Sequence, residues 1–81
     1  MQTPIETPEH LGHIIRKTRK VLGLTQPQLA LAAGVGVRFI VELEAGKPTV
    51  RLENVLRVLQ VLGITISASG FDENPQLNIQ K

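Results

Sequence analysis

The chain has 81 residues, no cysteine and a net charge of +2, which predicts one small domain with a modest core and no separate catalytic domain. Without cysteine there is no disulfide framework and no thiolate metal site, and no run of about 18 apolar residues is present to span a membrane. The small net charge hides an uneven distribution: residues 10–63 carry Arg16, Lys17, Arg19, Lys20, Arg38, Lys47, Arg51 and Arg57 against Glu42, Glu44 and Glu53, while the ends carry Glu6, Glu9, Asp72 and Glu73 against Lys81.

A basic body with acidic ends suits a polyanion binder, because phosphate neutralisation supplies most non-specific affinity; a solvated charged face is the plainer alternative. The opening MQTPIETPEH has neither the basic n-region nor the apolar h-region of a secretory signal, so a cytoplasmic protein is expected. Residues 1–7 are expected to be a flexible N-terminus. Thr7 then caps a helix with Pro8 at its first position and Glu9 near the positive end of the dipole, and the helix continues to Leu22 before Gly23 stops it. Leu11, Ile14, Ile15, Thr18, Val21 and Leu22 fall on one side, His13, Arg16, Lys17 and Lys20 on the other, with Arg19 at the border. His10 and His13 stand at i and i+3, but no third ligand is near, so surface histidines are expected and neither metal nor cofactor.

Thr25 opens the next helix, with Gln28 completing a capping box and Pro27 in the first turn. Leu29, Ala30 and Ala33 give it a small-residued apolar side, and Gly34 ends it. A third helix runs from about Val37 to Ala45, with Ile40 and Leu43 inward and Gly46 closing it. Two helices so close in sequence cross steeply, which is the helix-turn-helix arrangement. Arg38, Val41, Glu42 and Ala45 point away from Ile40 and Leu43, with Gly36 and Val37 at the leading end. Arg38 is the best candidate for base reading, since its guanidinium can fork onto guanine O6 and N7; Val37 or Val41 would meet a thymine methyl, and Glu42 would accept from cytosine N4 or orient Arg38.

A fourth helix is expected over about Arg51 to Leu62, closing at Gly63, with Leu52, Val55, Leu56, Leu59 and Leu62 as core and Glu53, Arg57 and Gln60 wet. Val58 and Val61 fall on a third side beside Asn54, which points to a subunit contact. Residues 64–69 then alternate strictly, putting Ile64, Ile66 and Ala68 on one face and Thr65, Ser67 and Ser69 on the other. A lone strand leaves its backbone unpaired, so the simplest partner is the same strand of a second copy across a two-fold axis, laid over Val58 and Val61. Residues 70–81 are polar, contain a proline and are expected to be a flexible tail, with Phe71, Leu77 and Ile79 available to dock on a partner. Ser67 and Ser69 have no histidine in any readable relation, the acids are dispersed and no glycine-rich phosphate loop follows a strand. Neither catalysis nor a small-molecule ligand is expected.

Thr25-Gln26, Leu29-Ala30, Gly34-Val35, Ile40 and Glu44-Ala45-Gly46-Lys47 stand at fixed offsets that resemble the Cro/repressor (XRE-type) helix-turn-helix family. A narrower resemblance, to HipB-type antitoxins, runs through Arg38-Phe39-Ile40, Glu42-Leu43-Glu44 and Gly46-Lys47-Pro48-Thr49 to Arg51-Leu52 and Val55-Leu56-x-Val58-Leu59; together the two cover roughly residues 11–69. The resemblance implies an all-α, lambda-repressor-like domain of four to five helices over residues 8–63, followed by a dimerisation strand at 64–69 that pairs across a homodimer. It further implies a salt bridge between Arg19 and Glu44, a DNA contact from Gln26 and a phosphate contact from Lys47. The partners implied are a palindromic double-stranded operator, with half-sites about one helical turn apart, and a HipA-like serine/threonine kinase toxin inhibited by the antitoxin. Gly36, Val37 and Val41 stand where many members carry Ser, Arg, Gln or Lys, so discrimination here leans on methyl contacts, DNA shape or a partner. Two other readings stay open: a stand-alone repressor without a toxin, and a protein-interaction module that no longer binds DNA.

Overall fold

The structure is a computed structural model and describes residues 4–68 and Gly70. Among these residues it consists of four helices and no strand: α1 (Pro8–Val21), α2 (Gln26–Ala33), α3 (Val37–Glu44) and α4 (Leu52–Leu62). At the head of α1 the Thr7 hydroxyl accepts the His10 N–H at 3.0 Å, and Pro8 occupies a position where its missing N–H is no loss. Each helix ends in the same hydrogen-bonded reversal. In α1 the Leu24 N–H reaches the Arg19 carbonyl at 3.1 Å and the Gly23 N–H that of Lys20 at 3.0 Å, and equivalent pairs close α2, α3 and α4.

One core joins the four helices. It is built from Ile15 of α1, Leu29, Ala30 and Ala33 of α2, Ile40 and Leu43 of α3, and Val55, Val58, Leu59 and Leu62 of α4. Leu11, Leu24, Val35, Phe39, Val50 and Ile64 close its edges. α2 packs on both α3 and α4, and α1 on both as well. The join between α1 and α3 depends on two glycines. A Cβ on Gly12 would stand 2.5 Å from the Leu43 carbonyl oxygen and 2.7 Å from that of Glu44, so α1 lies directly on the last turn of α3. Gly46, just past that turn, has φ 86° and would place a Cβ 2.8 Å from the Glu9 Cα.

Two expectations are corrected. On α1, Val21 and Leu22 are exposed, because Val21 lies about 120° around the helix from Ile15 and Leu22 is already the cap. On α4, Val58 is fully buried and belongs to the domain core, whereas Leu52 and Leu56 are exposed. The buried positions 55, 58, 59 and 62 centre the apolar stripe so that Leu56 and Val61 fall about 110° to either side of it, and Leu52 opens the helix at the edge of the packing. Residues 64–68 continue from Gly63 without pairing to another described segment of the same chain. A ladder needs a second strand, and the described residues of one chain offer none. Residues 1–3, Ser69 and residues 71–81, with Phe71, Leu77 and Ile79, lie outside the described residues.

Candidate nucleic-acid interface

The geometry of the site begins with α2. Gln28 N–H donates to the Thr25 hydroxyl at 3.2 Å and Thr25 N–H to the Gln28 amide oxygen at 2.9 Å, a reciprocal cap that fixes where the helix starts. Ala30 and Ala33 are buried and short enough for a neighbouring helix to come close. Gly34, at φ 72°, reverses the chain in a conformation that other residues rarely adopt, and Gly36 is the N-cap of α3.

A buried ionic network then ties α3 to both preceding helices. Arg19 donates through Nε to Glu44 Oε2 at 2.6 Å, through Nη2 to Oε1 at 3.0 Å and through Nη1 to the Leu24 carbonyl at 2.8 Å. Gln26 Nε2 donates to Glu44 Oε1 at 3.1 Å. The Arg19 and Glu44 side chains are only 9% and 4% exposed, and no buried side-chain nitrogen or oxygen among the described residues lacks a partner. The hydrogen bond to Glu44 raises the Arg19 pKa further above its ordinary value, against the opposing effect of burial. A bidentate pair in this setting has direction as well as strength. It holds the start of α2 and the end of α3 in one orientation relative to α1.

The opposite side of α3 is open. Arg38 projects with its side chain 90% exposed, Val37 and Val41 are exposed beside it, Gly36 and Ala45 flank them, and Glu42 is half-buried among them. Arg38 Nε donates to Glu42 Oε2 at 3.2 Å, and Lys47 Nζ stands 3.4 Å from Glu42 Oε1. The hydrogen bond from Arg38, assisted by Lys47, holds the Glu42 carboxyl below the usual carboxylate range. Gln26, half-buried, spends one amide hydrogen on Glu44. The outer surface of this helix thus offers one long cation, a second cation just past its end and two valine methyl surfaces.

The residues expected at a subunit contact are divided by the structure. Val58 is withdrawn into the core and cannot serve as a contact surface, while Val61, Ile66 and Ala68 are exposed and Ile64 is half-buried. Leu56, Leu59, Gln60, Gly63, Ile64, Thr65 and Ile66 line an open groove at the end of α4. Leu56 was missed at this surface because a 100° plot counts it among the core leucines. Gly12 was also missed. A glycine in mid-helix costs about 1 kcal/mol relative to alanine, which is itself a signal of close packing. His10 is half-buried and His13 exposed; among the described residues no three His, Cys, Asp or Glu side chains cluster to hold a metal, and no helix is long and apolar enough to cross a membrane.

A capped short helix, a glycine turn and a second helix braced from behind and open in front define a helix-turn-helix unit, the class of DNA-binding transcription regulators. The pattern of the Helix-turn-helix family matches residues 15–68. An uncharacterized HTH-type transcriptional regulator, y4mF, of Sinorhizobium fredii (strain NBRC 101917 / NGR234) is 53% identical over 66 residues, covering 82% of this chain and 87% of its own. The chain belongs to the XRE-type helix-turn-helix family of transcription regulators. Its fold is that of HipB in a HipA-HipB-O2-O3 complex, with a TM-score of 0.78 at 22% identity over 88% of this chain and 100% of that one. HipB in a HipB-O4 20mer complex gives the same values. ClgR, the clp gene regulator from C. glutamicum, is 33% identical with a TM-score of 0.64, over 78% of this chain and 80% of its own.

Proposed function

We propose that the chain is a dimeric repressor that binds a palindromic operator and serves as the antitoxin of a HipA-like serine/threonine kinase, autoregulating its own operon. The observation that carries the DNA reading is the open face of α3, with Arg38, Val37 and Val41 outward and the helix fixed from behind by Arg19, Glu44 and Gln26. In this reading Arg38 forks onto a guanine, Val37 and Val41 meet thymine methyls, Gly36 lets backbone come near, and Gln26 and Lys47 hold phosphates. Glu42 positions Arg38.

The antitoxin part of the reading is supported by likeness of fold to HipB across that whole chain, in a complex with HipA, O2 and O3 and in one with an O4 20mer. The dimer is supported by the apolar groove formed by Leu56, Ile64 and Ile66, with Val61 exposed nearby. Residues 64–69 of two copies would pair as a ribbon, with Ala68 on the same face as Ile66. A stand-alone repressor is the second reading, favoured by the description of the 53% identical relative as a transcriptional regulator.

Fluorescence anisotropy with the duplex upstream of the gene tests the DNA reading. Binding should weaken steeply with salt and fall about fivefold to 150-fold with Arg38→Ala, the about 1 to 3 kcal/mol of a lost bidentate base contact. Absence of binding at low salt would leave only a protein-holding module. Co-purification with the product of an adjoining kinase gene, with loss of kinase activity in the complex, separates antitoxin from stand-alone repressor.

A further inference from the structure

On the outer face of α3 one carboxylate holds two cations. Glu42 gives one oxygen to Arg38, at 3.2 Å, and the other to Lys47, at 3.4 Å. The arrangement is built in: the Lys47 N–H donates to the Glu42 carbonyl at 3.0 Å in the reversal that closes α3, so the lysine leaves the helix end beside the glutamate. Arg38 is reached one turn back, at the i, i+4 spacing that favours such pairs. Glu42 itself remains 29% exposed, so its charge is felt by anything approaching this face.

Resting on the DNA-binding reading, we propose that Glu42 determines specificity by withholding Arg38 and Lys47 from DNA of the wrong sequence. Any phosphate that takes either cation must displace the carboxylate or lie close to it, and both arrangements forfeit attraction. Where Arg38 can fork onto a guanine, the bidentate contact offsets that loss, and Glu42 can still steady the guanidinium. On other sequences nothing offsets it. The carboxylate therefore lowers affinity for random duplex more than for the operator, a discrimination produced by repulsion rather than by a new contact.

The test is anisotropy over a salt series with two probes: mixed-sequence duplex, and duplex enriched from a random pool by the wild-type protein. Glu42→Gln should bind the mixed sequence about threefold to tenfold tighter at low salt, with a steeper dependence of affinity on salt, and the ratio of enriched to mixed affinity should fall. Glu6→Gln removes the same charge from an exposed carboxylate outside α3 and should leave that ratio unchanged. Equal gains in both variants would reduce the effect to net charge and overturn the proposal. Weaker binding of the enriched duplex by Glu42→Gln, with no gain on mixed sequence, would make Glu42 a base contact and overturn it as well. If the wild type binds neither probe, the DNA reading fails and this inference with it; if it binds both and Glu42→Gln matches it, the inference alone fails.

Discussion

At the scale of single residues, Arg19 and Glu44 do the work of a hinge pin. Their charges are desolvated, so removing one leaves the other stranded. Glu44→Ala should lower the unfolding free energy by about 3 kcal/mol in urea titration, whereas replacing both by apolar residues of similar volume should cost much less. Equal losses in the single and double variants would show that packing, not charge, holds the helices. Gly12→Ala should destabilise by about 2 kcal/mol despite gaining helix propensity, because the new methyl meets two backbone carbonyls that cannot rotate away. An unchanged melting transition would contradict that close approach. Glu42 titrates below its ordinary range; the stabilising ion pairs are therefore complete above the unfolded carboxylate pKa and fade only as pH falls through the lowered folded value. Binding assays near neutrality see it ionised throughout.

Individual elements were readable in the sequence to different degrees. The caps at Thr7 and Thr25 and the glycines at 23, 34, 46 and 63 mark helix ends that the structure reproduces to within a residue or so, because capping depends on neighbours in sequence. The inward set of α3 was equally plain, since Ile40 and Leu43 are its buried residues. On α4 the pattern was ambiguous: seven of its eleven residues are apolar, and a stripe that wide has no unique centre. The packing of α4 against α1 and α2 chose Val58 over Leu56. Val58→Ala should accordingly lower stability by about 2 kcal/mol without altering oligomeric mass. Leu56→Asp should do the reverse, leaving the melting transition near wild type while shifting sedimentation toward monomer. If Leu56→Asp leaves the sedimenting mass unchanged, the groove at the end of α4 is no subunit contact.

For the molecule as a whole, the family was legible because its motif, from Thr25-Gln26 to Gly46-Lys47, fixes offsets across two helices and the turn between them. The Arg19 to Glu44 bridge that the resemblance implied ties these to α1. What surrounds the domain was less legible. Residues 64–68 alternate like a strand, yet alternation specifies only which side chains share a face and does not name a pairing partner. In the proposed dimer, two copies of α3 enter successive major grooves on one side of the duplex, about 34 Å apart. Hydroxyl-radical footprinting of the wild-type protein on its upstream duplex measures this directly. Two symmetric protected patches one helical turn apart are expected, with both lost together in Arg38→Ala. A single patch, or protection that survives Arg38→Ala unchanged, would contradict a paired-helix clamp led by α3.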